Sequence, residues 1–465
     1  MTGVAARAAA AVTAVAALTA LTAPAAVVAD GTVALEAGRP LATALTAMGT
    51  DGAAAALYPR GDEVRLVMAR PGDGGRTAGG APEAVPLPQG AAVEGLAVAS
   101  GGRVLVAFRT AHSCAPVHVL TRAADGTWAS AEAGGGAAVS AAVATAPDGS
   151  AAVLAVGCAG DVALRTQDAA GGWSVQPIGF TAAPTARASL ALGAAGLAVA
   201  GVDGPIPLLL VRQAGAWART SLPGGPPAVG ETIATLRVGI DAQSHPVALL
   251  RRVGETGIDV TGPIAAPVSW SLDRLLGTAS WVPVSPGGPD SVDVASGGGT
   301  LVARRRDGTM LVEGPGGTLV AQIDTLAAAG GPGGAFAYVP RGGPPVLGVG
   351  TPPSVTVTAP RSVRFGEAAA LRISVTDAAG RPLPRVRVRA AALAAATDDA
   401  GAVTLRPVLT ATGPVEVVLA DAGPVPPMRV TVRIAVRPQP VVLRATIARG
   451  ASRAVVTGTA ASPAA

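Results

Sequence analysis

The sequence contains no lysine and no asparagine, so all 35 of its basic residues are arginines. They are scattered, no basic stripe alternates with aromatics, and a net charge of +5 is small for 465 residues, which argues against a nucleic-acid partner. Aromatics make up 2% and charged residues 14% of the chain, while Gly (62) and Pro (40) together exceed a fifth of it. Such a composition is compatible with disorder, but the dense Val and Leu runs argue for buried strands joined by tight turns, an all-β chain. Three histidines leave little for acid/base or nucleophilic schemes. No phosphate loop, zinc spacing, metalloprotease helix motif, EF-hand or nucleophile elbow is present, so neither metal nor cofactor is expected.

The length calls for two or three domains. At the N-terminus, MTGVAAR precedes an uncharged Ala/Leu/Val run that ends in small residues before Asp30, the pattern of a secretory signal over residues 1–29 cleaved near Ala25 to Ala29. The uncharged run from Ala8 to Ala29 is also just long enough for an uncleaved anchor. Pro24 and the weakly apolar, Ala-rich run favour cleavage, which leaves no integral membrane segment. No Cys follows the run, which excludes a lipoprotein anchor. The expected location is secreted or cell surface.

A repeat organises the chain beyond this segment. The stretch EGLAVASGGRVLVAF, a loop with Cys114, and PVHVLTRAADGTWASAEA is followed at once by SAAVATAPDGSAAVLAVGCAGDVALRTQDAAGGWSVQPIG. Each copy has four short apolar runs separated by Gly-, Asp- and Pro-bearing turns, a four-stranded antiparallel meander of propeller-blade size. Its first hairpin recurs at 46–58, 96–108, 143–155, 190–201, 237–250, 292–304 and 336–349, which predicts a seven-bladed β-propeller over 30–351. The early segment TVALEAG at 32–38 is a strand without a blade and would close the ring against the last copy. That last copy lacks a third strand unless SVTVTAP at 354–360 supplies it, so six blades plus an irregular hairpin is the alternative. Trp128, Trp173, Trp217 and Trp270 are expected to open fourth strands and pack between blades, a sugar-stacking platform being the other reading, with Trp281 out of register. Cys114 and Cys158 fall in equivalent loops of adjacent blades and are expected to form a blade-to-blade disulfide worth roughly 4 kcal/mol on chain entropy, two separate buried thiols being the alternative.

Beyond Pro352 and Pro353 the pattern tightens to a period of two, which predicts a β-sandwich over 354–437. Here VTDAAGRPLPRVRV and TDDAGAVTL resemble bacterial immunoglobulin-like modules of the invasin type; for function the resemblance implies a spacer or adhesive stalk. Residues 438–465 read as the start of a second such module or a disordered tail.

In a propeller the first strand of each blade lines the channel. The charged candidates there are Glu94, Arg187, Arg237, Asp241, Asp290 and Asp293, with Tyr338 as a further inner-strand residue. The turns TQDAAGGW and TRAADGTW resemble degenerate Asp-boxes of sialidase-like repeats, the first keeping Thr166, Asp168 and Trp173, the second Thr121, Thr127 and Trp128 with Ala123 at the Asp position. In that family the box is a structural turn. The resemblance would also imply an arginine triad and a Tyr–Glu pair, but no Glu is placed beside Tyr338. His112 and His118 flank Cys114, and His245 follows Ser244 in a turn. A Cys/His nucleophile or metal site in the first group competes with the disulfide, and Arg60-Gly61-Asp62 mimics an integrin-binding tripeptide by chance in an Arg- and Gly-rich chain. The function expected is exported, non-enzymatic recognition or adhesion, with a glycan or extracellular protein as partner. A carbohydrate-active hydrolase or lyase at the channel rim and a structural envelope protein are the alternatives.

Overall fold

The computed structural model describes residues 31–35, 41–71, 77–111, 114–167, 171–213, 215–254, 257–259, 262–264, 268–277, 280–284, 291–297, 299–306, 309–314, 317–321, 324–341, 345–351, 353–377, 380–420, 428–437, 442–447 and 456–461. The expected signal at 1–29, together with His112, Asp168 and Asp290, lies outside them. The protein is all-β: apart from one-turn 3-10 segments, every regular element among the described residues is a strand.

Seven antiparallel meanders follow one another; the second and third share the long strand Trp128–Thr145 within one seven-stranded sheet, the sixth is part of a nine-stranded sheet, and the seventh takes its fourth strand from the N-terminus. Their first strands are Leu45–Met48, Ala92–Val98, the second half of Trp128–Thr145, Ala188–Leu192, Thr232–Ile240, Ser291–Gly297 and Thr325–Gly330. Each of these packs beside the next, and the last packs beside the first, so the contacts form a closed circuit. All of them line one narrow central cavity of about 180 Å³. Small residues permit this convergence: a Cβ on Gly297 would lie 2.5 Å from the carbonyl oxygen of Gly330 on the neighbouring first strand. With so few aromatics, the cores between sheets are filled by Ala, Val and Leu.

Side chains also staple neighbouring first strands, which have no ladder between them. Ser140 Oγ accepts from the backbone N–H of Ala188 at 3.0 Å, Ser189 Oγ from Val238 at 3.0 Å, and Ser296 Oγ from Ile240 at 2.9 Å. The circuit closes as expected through the N-terminus: Gly31–Ala34 pairs with Val346–Gly350 as the fourth strand of the seventh sheet. The buried Tyr58 hydroxyl donates to Leu35 O at 2.6 Å and pins the residue after that strand to the first sheet.

Two frame assignments are corrected. In the seventh sheet the first strand is Thr325–Gly330, so the hairpin read at 336–349 is its second and third strands, and Tyr338 lies on the second strand. The 3-10 turn Pro332–Gly334 marks the true first turn, where Gly333 takes φ 64°. The same turn joins the first two strands of the second sheet, at Ser100–Gly102, and of the fourth, at Ala194–Gly196. No third strand is missing, and Ser354–Thr358 instead pairs with Leu371–Thr376 outside the circuit. In the fifth sheet a small inserted hairpin, Gly257–Asp259 with Gly262–Ile264, displaced the reading by one strand. Trp270 is therefore on the third strand, and Trp281 holds the fourth-strand position. Trp128, Trp173, Trp217 and Trp281 each pack against the cluster between their own sheet and the preceding one.

Residues 354–437 form two sheets over a shared apolar core that includes Leu371, Ile373, Val375, Val388, Val417, Leu419 and Ile434. The strand Met428–Arg437 continues edge to edge from Gly317–Ala321, the outer strand of the sixth sheet, through the pairs Val320 with Arg429 and Ala321 with Met428. Val442–Ile447 and Val456–Ala461 form a hairpin of their own.

Candidate functional site

The first strands start at one end of the central cavity and finish at the other, and the residues singled out from sequence divide between these ends. Glu94, Arg187 and Arg237 line a cavity of about 680 Å³ at the starting end, together with Arg109, Ser140 and Thr185. Asp241 stands at the finishing end, in the turn after Thr232–Ile240.

At the starting end Glu94 is already engaged. Arg109 on the neighbouring strand donates to its Oε1 from Nε at 2.9 Å and from Nη2 at 2.7 Å, and the Ala141 N–H donates to Oε2 at 3.2 Å. Both side chains are largely buried, so the pair neutralises itself and ties the second sheet to the third. Arg187 precedes the first strand of the fourth sheet, and its backbone N–H donates to Asp203 Oδ1 at 2.7 Å. Asp203 is buried, and burial pushes its carboxyl above the usual carboxylate range against the opposing pull of the Arg187 N–H and of the Arg237 and Arg187 guanidinium groups. Arg237 Nη1 donates to the Leu236 carbonyl at 3.3 Å. Neither the Arg187 nor the Arg237 guanidinium is in an ion pair among the described residues.

A disulfide joins Cys114, on the wall of this cavity, to Cys158 in the next sheet, with a Cα–Cα separation of 5.8 Å that suits the bond. Cys114 is thereby committed and His118 stacks on Phe108, ring centroids 5.3 Å apart, so a Cys/His nucleophile is not formed.

At the finishing end the Asp241 carboxylate is fully buried and accepts from the backbone N–H groups of Gln243 and His245, at 2.9 and 2.8 Å, and contacts His245 Nδ1 at 3.1 Å. Arg274 reaches Asp241 from the third strand of the same sheet at 3.4 Å and hydrogen-bonds Glu313 of the sixth sheet. Burial raises the Glu313 carboxyl, Arg274 lowers it, and Asp241 raises it further. The group is an inter-sheet latch in which the Arg274 cation bridges two carboxylates.

The remaining candidates serve locally. Asp293 pairs with Arg304 on the adjacent strand at 2.8 Å. Tyr338 is buried in an apolar cluster, because its strand faces the core rather than the channel, and burial raises its phenol. In the turn of TRAADGTW, Asp125 Oδ1 accepts from the backbone N–H and hydroxyl of Thr127 at 2.9 and 2.7 Å, a structural turn with Gly126 at φ 93°. Sequence reading missed Arg109, Ser140 and Asp203. Arg109 lies on a second strand and Asp203 just past one, where charge was not sought, and a lone Ser in an apolar run carries no charge signal.

No protein-family model and no curated protein matches the chain. Among solved structures, AofleA from Arthrobotrys oligospora is 10% identical, with TM-score 0.36 over 82% of this chain and 93% of its own. A lectin in complex with alpha methyl fucoside is 11% identical, with TM-score 0.33 over 86% of this chain and 97% of its own. An ulvan lyase, a polysaccharide lyase, is 11% identical, with TM-score 0.37 over 81% of this chain and 96% of its own. Likeness of this size does not define a common fold, and the functional reading rests on this chain's own residues.

Proposed function

We propose that the protein is an exported recognition protein that binds a glycan at the mouth of a seven-bladed β-propeller, residues 30–351, preceded by a signal peptide over 1–29. The immunoglobulin-like β-sandwich at 354–437 is a spacer for that head, and 438–465 begin a further module or tail. The closed circuit of first strands around one central cavity supports the propeller reading, and the disulfide supports an oxidising, extracellular setting. No helix among the described residues is long and apolar enough to cross a membrane.

The observation that carries the binding reading is the cavity of about 680 Å³ with Arg187 and Arg237 on its wall, both outside any ion pair among the described residues. Its volume is that of a small-ligand site. One observation favours a second reading: burial raises the carboxyl of Asp203, whose Oδ1 accepts from the Arg187 N–H beside this wall, and a perturbed carboxyl next to a cavity is a candidate acid of a lyase or hydrolase. Incubating the full chain with a panel of polysaccharides and cell-wall glycans, and scoring retained glycan and released products together, separates the two. Retention without cleavage is expected. Cleavage would replace recognition by catalysis, and neither signal would turn the reading toward a structural envelope role.

A further inference from the structure

Resting on the recognition reading above, we infer that the ligand of the cavity at the channel mouth is an acidic glycan, one whose carboxylate or sulfate groups are held by Arg187 and Arg237. Charge counting around the wall leads there. Of the ionised side chains lining the cavity, Glu94 and Arg109 cancel each other through two short hydrogen bonds. That leaves two guanidinium groups, opposed among the described residues by the buried Asp203, one of whose oxygens is taken by the backbone of Arg187. A neutral sugar is usually held by stacking on an aromatic face, yet none of the described residues lining this cavity is aromatic. Charge and hydrogen bonds are what remain, and a guanidinium offers paired donors matched to the oxygens of a carboxylate or sulfate. Asp203 acts as a positioning residue, fixing the chain at Arg187 from behind. Cys114 lines the same wall, so the disulfide holds its far side.

The test is calorimetric titration of the full chain with an oligouronate, a sulfated oligosaccharide and a neutral oligosaccharide of equal length, at low and high salt. At least one acidic ligand is expected to bind about tenfold or more tightly than the neutral one, with affinity falling as salt rises. The two acidic arms distinguish carboxylate from sulfate as the group recognised. Arg187→Ala and Arg237→Ala should each weaken that binding about tenfold with an unchanged melting temperature, and Arg187→Lys should recover part of it. Neutral ligand bound as tightly as both acidic ones would overturn the inference and leave recognition standing. Acidic binding unmoved by either substitution would overturn the site. Absence of binding to all three ligands, with no glycan retained from the wider panel, would overturn recognition as well.

Discussion

Where the first strands start, Arg187 and Arg237 reach the wall of an open cavity outside any ion pair among the described residues, while where they finish, Asp241, His245, Arg274 and Glu313 are bound to one another. Both groups sit in the same ring. A charge taken out of water must be matched within the protein, whereas one facing a water-filled cavity need not be. The finishing end is thus committed to joining the fifth sheet to the sixth, and the starting end keeps binding capacity for something outside the chain. Neither role can be read from residue type, since an arginine carries both.

Substitution can break this contrast. Arg274→Ala leaves two buried carboxylates without their cation and is expected to cost about 3–5 kcal/mol, while Arg187→Ala should stay within about 0.5 kcal/mol of wild type; urea denaturation of the two variants checks both. Equal losses would erase the distinction between the ends. Replacing Cys114 and Cys158 together by Ser should cost about 2–4 kcal/mol, read from the same curves. It should also weaken ligand binding at the starting end without disturbing Arg274.

Ser189→Ala removes the acceptor of the Val238 N–H, a buried hydrogen bond between two first strands, and should cost about 1–3 kcal/mol, seen as a lowered denaturation midpoint. The smallest effect is one of slope. Burial raises the Glu313 carboxyl, so the folded state holds that proton more tightly than the unfolded chain does. Its stabilising contribution is full below the ordinary carboxylate range and is lost as pH rises through the raised value. Glu313→Gln has no proton to lose, so its stability relative to wild type should shift in the variant's favour as pH rises above the ordinary carboxylate range, measured by denaturation at a series of pH values. A constant difference would mean that Arg274 fully offsets the burial.

The first six hairpins were legible because a Gly-bearing turn between two apolar runs has few other solutions. The seventh slipped by one strand because PGGAFAYVPRGGPPVLGV contains two Gly-rich turns in succession, and either one fits the repeat. That slip placed Tyr338 on the channel, and the inserted hairpin near 257–264 did the same kind of harm to Trp270 and Trp281. Among site residues, Glu94, Arg187 and Arg237 were found because their strands were known to converge. The meaning of Glu94 was hidden, because its partner Arg109 comes from the next strand, and cross-strand register is not written in the order of residues. The serines that staple neighbouring first strands were invisible for a related reason: each bonds to a backbone some fifty positions further along or behind, a pairing that only the closed circuit creates.

The strand that closes the ring has a bearing on how the molecule is made. Gly31–Ala34 leads the ring, but the edge it must join, Val346–Gly350, is the last ring strand to be synthesised. Closure therefore waits on nearly the whole ring, and pairing across such a separation is slow to nucleate. Until then the seventh sheet has an open edge, able to template wrong pairings. A chain cut short before Val346 leaves Gly31–Ala34 with no edge to join, so the strand at the beginning serves as a check that the end has arrived.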